Sequence, residues 1–314
     1  LRSEGARRVG PEAVGGKDIR SAKALAADWR TGGDASPSDL SEELGRCLLP
    51  GPIAEELRRI QLANSSKRLR VWIESDDPSL MVLPWEAAQA IHDETETGTL
   101  AGYPGISVIR RSHTPQKAQP PRPRVDRIVV SISAGTRVLD NGKQRLPPTK
   151  NLVDELRQLA PTIDFRLKQD VEPADLPEQL AGAHIFCFNG HAVEQKGERV
   201  LLLHGSTGPS PTLSVGQLGD LLPAGTDPRV VILDACATGS LFTDHKGWSE
   251  LGADVMIAWQ REMTPEAVAA FARGFYEELA HSGDLDEAIR EGREKLAAST
   301  GDPHAPVVFC RYTG

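Results

Sequence analysis

The sequence lacks the features that mark several large protein classes. It has no apolar run near the roughly 18 residues of a membrane span, and its opening stretch LRSEGARRVGPEAVGG has no apolar signal core. Four scattered cysteines, with no Cys-x-x-Cys pair, exclude a disulfide scaffold and give no sign of a zinc site. A net charge of −8 argues against a nucleic-acid binder, which needs a basic face. We therefore expect a cytoplasmic protein with no cofactor and no nucleic-acid or membrane partner.

Three common catalytic signatures are also missing. The chain contains no Gly-x-Ser-x-Gly elbow, no phosphate loop of the GxxxxGK[ST] type and no GxGxxG after a strand. A serine hydrolase of that type, a P-loop nucleotidase and a dinucleotide oxidoreductase therefore lack their signatures. A zinc site built from His191, Glu194, His204 or Asp234 has no supporting ligand spacing, so we disfavour a metal site.

Composition divides the chain into four segments. Residues 1–38 are rich in glycine and alanine, and we expect a flexible tail. Residues 39–115 hold two short amphipathic helices, the alternating strand RLRVWIES and the segment LPWEA. Residues 116–125 carry three prolines, which predict an extended linker. Residues 126–314 alternate strands and helices and form the main domain.

The strands of the last segment predict a parallel sheet. RIVVSIS, HIFCF, RVVIL, DVMIAW and PVVFCRY are apolar almost throughout, as expected for strands that helices cover on both faces. The clearest helix starts near Thr264-Pro265 and carries an apolar stripe at helical spacing. We therefore predict a three-layer α/β fold with a central, mostly parallel sheet of about six strands flanked by helices.

Two strands end in residues suited to nucleophilic catalysis. HIFCF is followed by Asn-Gly-His191, and RVVIL is followed by Asp234-Ala-Cys236. Because ligands gather at the carboxyl ends of parallel strands, the imidazole and the thiol can meet there, and the imidazole can then activate the thiolate. Taken singly, such a cysteine or histidine is more often a core residue. Both together favour a catalytic dyad of Cys236 and His191.

The other candidate residues carry less weight. Cys187 and Cys310 lie inside strands and Cys47 lies on a short helix, so we expect all three to be inert core residues. His245, nine residues after the candidate nucleophile, is a secondary candidate for the base. Small residues beside the dyad, Gly190 and Gly239 among them, would let a peptide backbone approach and leave main-chain N–H groups for an oxyanion.

The order "apolar strand–Gly–His, then apolar strand–Ala–Cys–x–x–Gly" resembles the caspase-like cysteine peptidases, and among them the bacterial CHAT-domain proteases. The resemblance runs from about residue 40 to residue 314, and its motifs are LPWEA at 83–87, FNGH at 188–191, VILDACATGS at 231–240 and AW…FARGFYEEL over 258–279. It implies a caspase-like fold in which residues 39–115 form a smaller, degenerate companion half packed on the catalytic half.

The resemblance also implies roles for the site residues. Cys236 would be the nucleophile and His191 the general base and acid, with the backbone N–H groups of Cys236 and Ala192 forming the oxyanion hole. The family usually has glycine after the histidine, whereas this chain has alanine, which does not easily adopt a positive φ. If the family needs that geometry, the loss favours an alternative function, a pseudo-protease that binds a partner as an adaptor. A non-proteolytic α/β hydrolase or binding domain would require the Cys–His pair to be a coincidence.

The resemblance also implies a class of substrate. Bacterial relatives act in defence and cell-death pathways, so the resemblance implies a protein or peptide substrate such as a gasdermin-like effector. Helical repeats often precede the domain in the family and are not seen in this sequence, so the resemblance implies a sensor or regulator that is a separate protein or lies in a portion outside this sequence.

Asp234 is the residue on which we base a hypothesis about the side chain preferred before the scissile bond. Two interpretations of its carboxylate stand about even, since it could cap the following turn or line the substrate pocket together with Gly190 and Gly239. Metacaspases resemble this chain there, with an acidic residue that binds a basic side chain, which implies cleavage after Arg or Lys. An arginine-lined pocket for Asp, as in caspases, would have Arg261 as its nearest candidate.

Overall fold

The computed structural model describes most of the chain in separate stretches. These are residues 18–30, 37–49, 51–63, 69–75, 77–93, 96–102, 106–111, 127–136, 149–195, 198–205, 209–222, 228–236, 238–239, 253–300 and 304–310. The expected linker 116–125 and the secondary base candidate His245 lie outside them.

The described residues form strands, helices and short 3-10 turns. The strands are β1 (Leu69–Glu74), β2 (Gln89–Asp93), β3 (Glu96–Thr99), β4 (Ile106–Arg111), β5 (Val129–Ala134), β6 (Asp164–Lys168), β7 (Ile185–Asn189), β8 (Ala192–Gln195), β9 (Glu198–Leu202), β10 (Thr212–Leu213), β11 (Val230–Asp234), β12 (Val255–Trp259) and β13 (Pro306–Cys310). The helices are α1 (Asp18–Arg30), α2 (Pro37–Leu48), α3 (Gly51–Ala63), α4 (Pro78–Met81), α5 (Thr149–Leu159), α6 (Leu176–Leu180), α7 (Val215–Asp220), α8 (Pro265–Ser282) and α9 (Leu285–Thr300). The 3-10 turns are Trp85–Ala87, Leu100–Gly102 and Pro173–Asp175.

The central sheet joins strands from both ends of the chain. Its order is β1-β4-β13-β12-β11-β7-β5-β6. The strands from β12 to β6 are parallel to one another, β13 is antiparallel to β12, and β4 and β1 run parallel to β13. The predicted mostly parallel sheet is confirmed, but it has eight strands rather than about six, because β1 and β4 from the N-terminal segment extend it beyond β13.

Helices cover both faces of this sheet. One face packs against α5, α8 and α9 around a cluster that contains Ile232, Trp259 and Phe275. The opposite face packs against α6, α7 and the small sheet of β8, β9 and β10, around Leu233 and Phe186. Alternation along β11 sends Ile232 to the first face and Leu233 to the second, so Asp234 follows on the α5/α8 side.

The N-terminal segment has an apolar core of its own. Ala22, Ala26 and Trp29 of α1 are buried together with Leu40 and Leu44 of α2. The expectation of a flexible tail over residues 1–38 is therefore wrong for residues 18–30. The buried residues follow helical spacing, and two of them are alanines, whose small side chains let α2 approach α1 closely. None of the described helices is both long and apolar enough to cross a membrane.

Candidate active site

Strand register brings His191 and Cys236 to the same edge of the sheet. β7 and β11 are neighbouring parallel strands in which Asn189 pairs with Asp234. The N–H of Gly190 donates to the Asp234 carbonyl at 3.1 Å, which extends the pairing past the strand ends. His191 and Cys236 each follow this register pair by two residues, so they occupy equivalent positions beyond adjacent strands.

The two residues differ in burial. His191 is 4% exposed, and its carbonyl accepts a hydrogen bond from the Leu202 N–H at 2.9 Å. Cys236 is partly exposed and lines a cleft. Cys47 and Cys187 are buried, as expected, whereas Cys310 is partly exposed at the end of β13 and is not a fully buried core residue.

The cleft has a volume of about 270 Å³ and lies between α5 and α8, beside the carboxyl ends of β7, β11 and β12. Its sheet side is formed by Asn189, Gly190, Asp234, Ala235, Cys236 and Trp259. Its helical walls are formed by Thr149, Asn151, Leu152 and Glu155 on one side and by Pro265, Glu266, Val268, Ala269 and Arg273 on the other, and Met263, just before α8, also lines it. An elongated side chain could enter this cleft beside the Cys236 thiol.

The carboxyl group of Asp234 is held by two neighbouring strands. The Trp259 indole N–H donates to Oδ1 at 3.0 Å, and the Cys187 thiol donates to Oδ2 at 3.2 Å. Burial raises the pKa of Asp234 from 3.8 to about 6, although both hydrogen bonds oppose that rise. The turn after β11 is held by Thr238 and not by the Asp234 carboxyl group, because the Thr238 hydroxyl donates to the carbonyls of Leu233 and Ala235. The structure thus places the Asp234 carboxyl group on the cleft.

The small residues beside the dyad have different surroundings. A Cβ on Gly190 would lie 2.9 Å from two ring carbons of Phe188, so the close approach requires glycine there. Gly239 does not line the cleft. A Cβ on Gly239 would lie 3.0 Å from the carbonyl oxygen of Trp259. Ala192 begins β8 and pairs with Leu201 without a positive φ. Alanine therefore fits this backbone, and the departure from His-Gly causes no strain.

Two alternatives are not supported by the described residues. The Arg261 guanidinium lies 5.3 Å from the ring centre of Trp29 in α1 and does not line the cleft, so it does not provide a pocket for Asp. No group of three His, Cys, Asp or Glu side chains in the described part of the chain could hold a metal ion.

Several cleft residues were not anticipated from the sequence. Trp259 ends β12, and the criterion that selected Cys236, a residue at the carboxyl end of a parallel strand, would have found it. Asn189 accepts a hydrogen bond from the Thr149 hydroxyl at 3.0 Å, which joins α5 to the end of β7. Glu155 and Arg273 lie on the two helical walls, and no sequence pattern marks them as neighbours.

Comparison with known proteins identifies the fold. The structure is similar to the Arg-specific cysteine proteinase gingipain R (RgpB) of Porphyromonas gingivalis, with a TM-score of 0.50 and 12% identity over 94% of this chain and 75% of the other. Weaker likenesses are to the Drosophila initiator caspase Dronc (TM-score 0.38, 8% identity, 58% of this chain and 79% of that one) and to Saccharomyces cerevisiae separase bound to securin (0.45, 11%, 96% and 23%). No curated protein matches the chain.

The sheet is mostly parallel and covered by helices, and β7, which precedes His191, lies beside β11, which precedes Cys236. This fold is that of the caspase-like cysteine peptidases. Residues 38–308 match the family model of the CHAT domain. Because the match spans most of the sequence, the chain belongs to the CHAT domain family.

Proposed function

We propose that the protein is a cysteine endopeptidase with Cys236 as nucleophile and His191 as general base and acid. The observation that carries this proposal is the register of β7 and β11, which gives the two residues equivalent positions beyond adjacent strand ends, with Cys236 lining the cleft. Membership of the CHAT domain family and the fold shared with a cysteine proteinase support it. The unstrained backbone at Ala192 removes the reason to prefer an adaptor without activity.

The chemistry follows from these two side chains. His191 takes the thiol proton, and the Cys236 thiolate attacks the scissile carbonyl carbon, whose oxygen becomes an oxyanion. Backbone N–H groups of Cys236 and Ala192 stabilise that charge. The imidazolium then protonates the leaving amine as the C–N bond breaks, which leaves a thioester. A water molecule, deprotonated by His191, hydrolyses the thioester and restores the thiol.

The charges of the cleft favour a basic side chain before the scissile bond. The lining contains three carboxyl groups, on Asp234, Glu155 and Glu266, and one guanidinium, on Arg273. Trp259 and Cys187 hold the Asp234 carboxyl group in a fixed orientation on the cleft. A bound Arg or Lys would act as the counter-ion of Asp234, and this attraction is strong where solvent is displaced.

A panel of fluorogenic peptides that differ only in the residue before the scissile bond tests this function. Cleavage should be fastest for Arg and Lys, and C236A and H191A should both abolish it. C310A, which alters the other partly exposed cysteine, is the matched control and should retain wild-type kcat/KM. Full activity of C236A would overturn the nucleophile, and faster cleavage after Leu or Asp would overturn the specificity.

Kinship with bacterial CHAT-domain proteases supports a role in a defence or cell-death pathway. The physiological substrate would then be a protein, such as a gasdermin-like effector, and a separate sensor or regulator protein would control the enzyme. Mass spectrometry of new N-termini in cells that express the wild type or C236A identifies that substrate. The effector proposal requires a cleaved pore-forming protein in the wild-type cells alone.

A further inference from the structure

An ion pair bridges the two helical walls of the cleft. The Arg273 Nε donates to Glu155 Oε1 at 2.6 Å, and its Nη2 donates to Oε2 at 2.9 Å. This arrangement of two parallel hydrogen bonds is the strongest geometry for a guanidinium and a carboxylate. It joins α5 to α8, and both side chains are 42% exposed, so the pair faces the open part of the cleft.

The ion pair lies away from the sheet edge that holds the thiol. Thr149 and Pro265, the first residues of α5 and α8, line the same cleft as Cys236. Glu155 is six residues and Arg273 eight residues further along their helices, which is about 9 Å and 12 Å at 1.5 Å per residue. A long side chain that enters beside Cys236 and passes Asp234 therefore points towards this pair.

Arg273 carries a positive charge, as does the Arg or Lys side chain that the cleft would bind. The hydrogen bonds to Arg273 hold the pKa of Glu155 below its usual value, so the glutamate is a carboxylate at neutral pH. That carboxylate is already neutralised by a guanidinium of the protein. An incoming Arg or Lys thus meets Asp234 as an available negative charge, whereas Glu155 offers little net attraction.

We propose that the Glu155–Arg273 pair sets the charge selectivity of the cleft, with Arg273 acting as an internal counter-cation that limits binding of basic side chains. This inference rests on the proposed peptidase function, because it concerns the same cleft. Removal of the guanidinium leaves the Glu155 carboxylate for the substrate. Removal of the carboxylate leaves the Arg273 charge to repel a basic side chain and attract an acidic one.

The test is a double-mutant cycle with R273Q, E155Q and the double variant, each measured on peptides with Arg, Lys, Leu or Asp before the scissile bond. The Arg-to-Leu ratio of kcat/KM should rise about tenfold in R273Q and fall about tenfold in E155Q, as expected for one unit charge near a bound cation. The double variant should return the ratio to near that of the wild type.

The two single variants break the same contact, so a merely structural role would change both ratios in the same direction. D154N is the matched control, because Asp154 lies on the same helix, forms its own surface pair with Arg157 and does not line the cleft. Its ratio should stay within twofold of the wild type. Shifts of R273Q and E155Q in the same direction, or no shift, would overturn the inference while leaving the peptidase function intact. Absence of any cleavage by the wild type would overturn the proposed function first.

Discussion

Asp234 is the residue at which stability and proposed function oppose each other. Burial raises its pKa to about 6 in the folded protein, against 3.8 for the ordinary group. Between these values the folded state binds more protons than the unfolded state, so the free energy of unfolding falls as the pH rises from about 4 to about 6. Above this range the charged carboxylate destabilises the fold, and such a cost is typical of a group that serves a site.

The first prediction is that D234N stabilises the protein at neutral pH. Asn keeps an oxygen acceptor for the Trp259 indole and removes the buried charge. We expect the free energy of unfolding to increase by about 3 kcal/mol at pH 7.5, and the difference to vanish near pH 4, where Asp234 is protonated in the folded protein. Urea unfolding at both pH values measures it, and an equal gain at both would show that the charge is not the cause.

The second prediction concerns pH and selectivity. Because protonation removes the negative charge of Asp234, the preference for Arg over Leu should decline as the pH falls through about 6. The ratio of kcat/KM for the two peptides isolates this effect, since a change in the catalytic dyad alters cleavage of both peptides alike and kcat/KM reports the free enzyme. D234N should show a low ratio that does not vary with pH. A wild-type ratio that is constant from pH 5 to pH 8 would contradict the assignment of Asp234.

At the scale of the elements, strand ends were the most predictable part of the site. Continuous apolar runs identify β5, β7, β11, β12 and β13, and the residues after β7 and β11 give the proposed dyad. The role of Trp259 could not be read from the sequence, because its indole N–H partner, Asp234, lies on another strand. The Glu155–Arg273 pair depends on how α5 packs against α8, which no local pattern encodes. A helix over about residues 18–29 is compatible with the sequence, but two alanines and one tryptophan make too weak an apolar stripe to predict its packing against α2.

The third prediction separates the two small residues that flank His191. G190A should lower kcat/KM at least tenfold and destabilise the fold by roughly 1–3 kcal/mol, because the added Cβ meets the fully buried Phe188 ring at 2.9 Å. A192G should leave kcat/KM within about threefold of the wild type, since the backbone at Ala192 needs no positive φ. A large gain in activity for A192G would show instead that the alanine restrains the site.

At the scale of the whole molecule, a buried charge cluster joins the N-terminal segment to the strands beside the site. Arg110 of β4 donates to both oxygens of Glu86, and neither side chain is more than 1% exposed. The Gln260 amide also donates to Glu86 at 2.9 Å, directly after Trp259 of the cleft. Burial and the nearby Arg110 lower the pKa of Arg293, whereas the Glu86 carboxylate raises it. Glu86 therefore compensates the charge of Arg110 from the N-terminal segment and that of Arg293 from the C-terminal part of the chain.

The last prediction is that a chain beginning at Arg124 does not form a native structure. It would lack Glu86 and Arg110, so Gln260 would lose a buried partner and Arg293 the carboxylate that compensates its charge. It would also lack β4, which leaves β13 as a new exposed edge of the sheet. We expect an insoluble protein, or one that binds ANS and unfolds without a cooperative transition. A chain beginning at Asp18 keeps every described element and should unfold cooperatively with wild-type kcat/KM. A folded, active protein that starts at Arg124 would show instead that the N-terminal segment is a dispensable module.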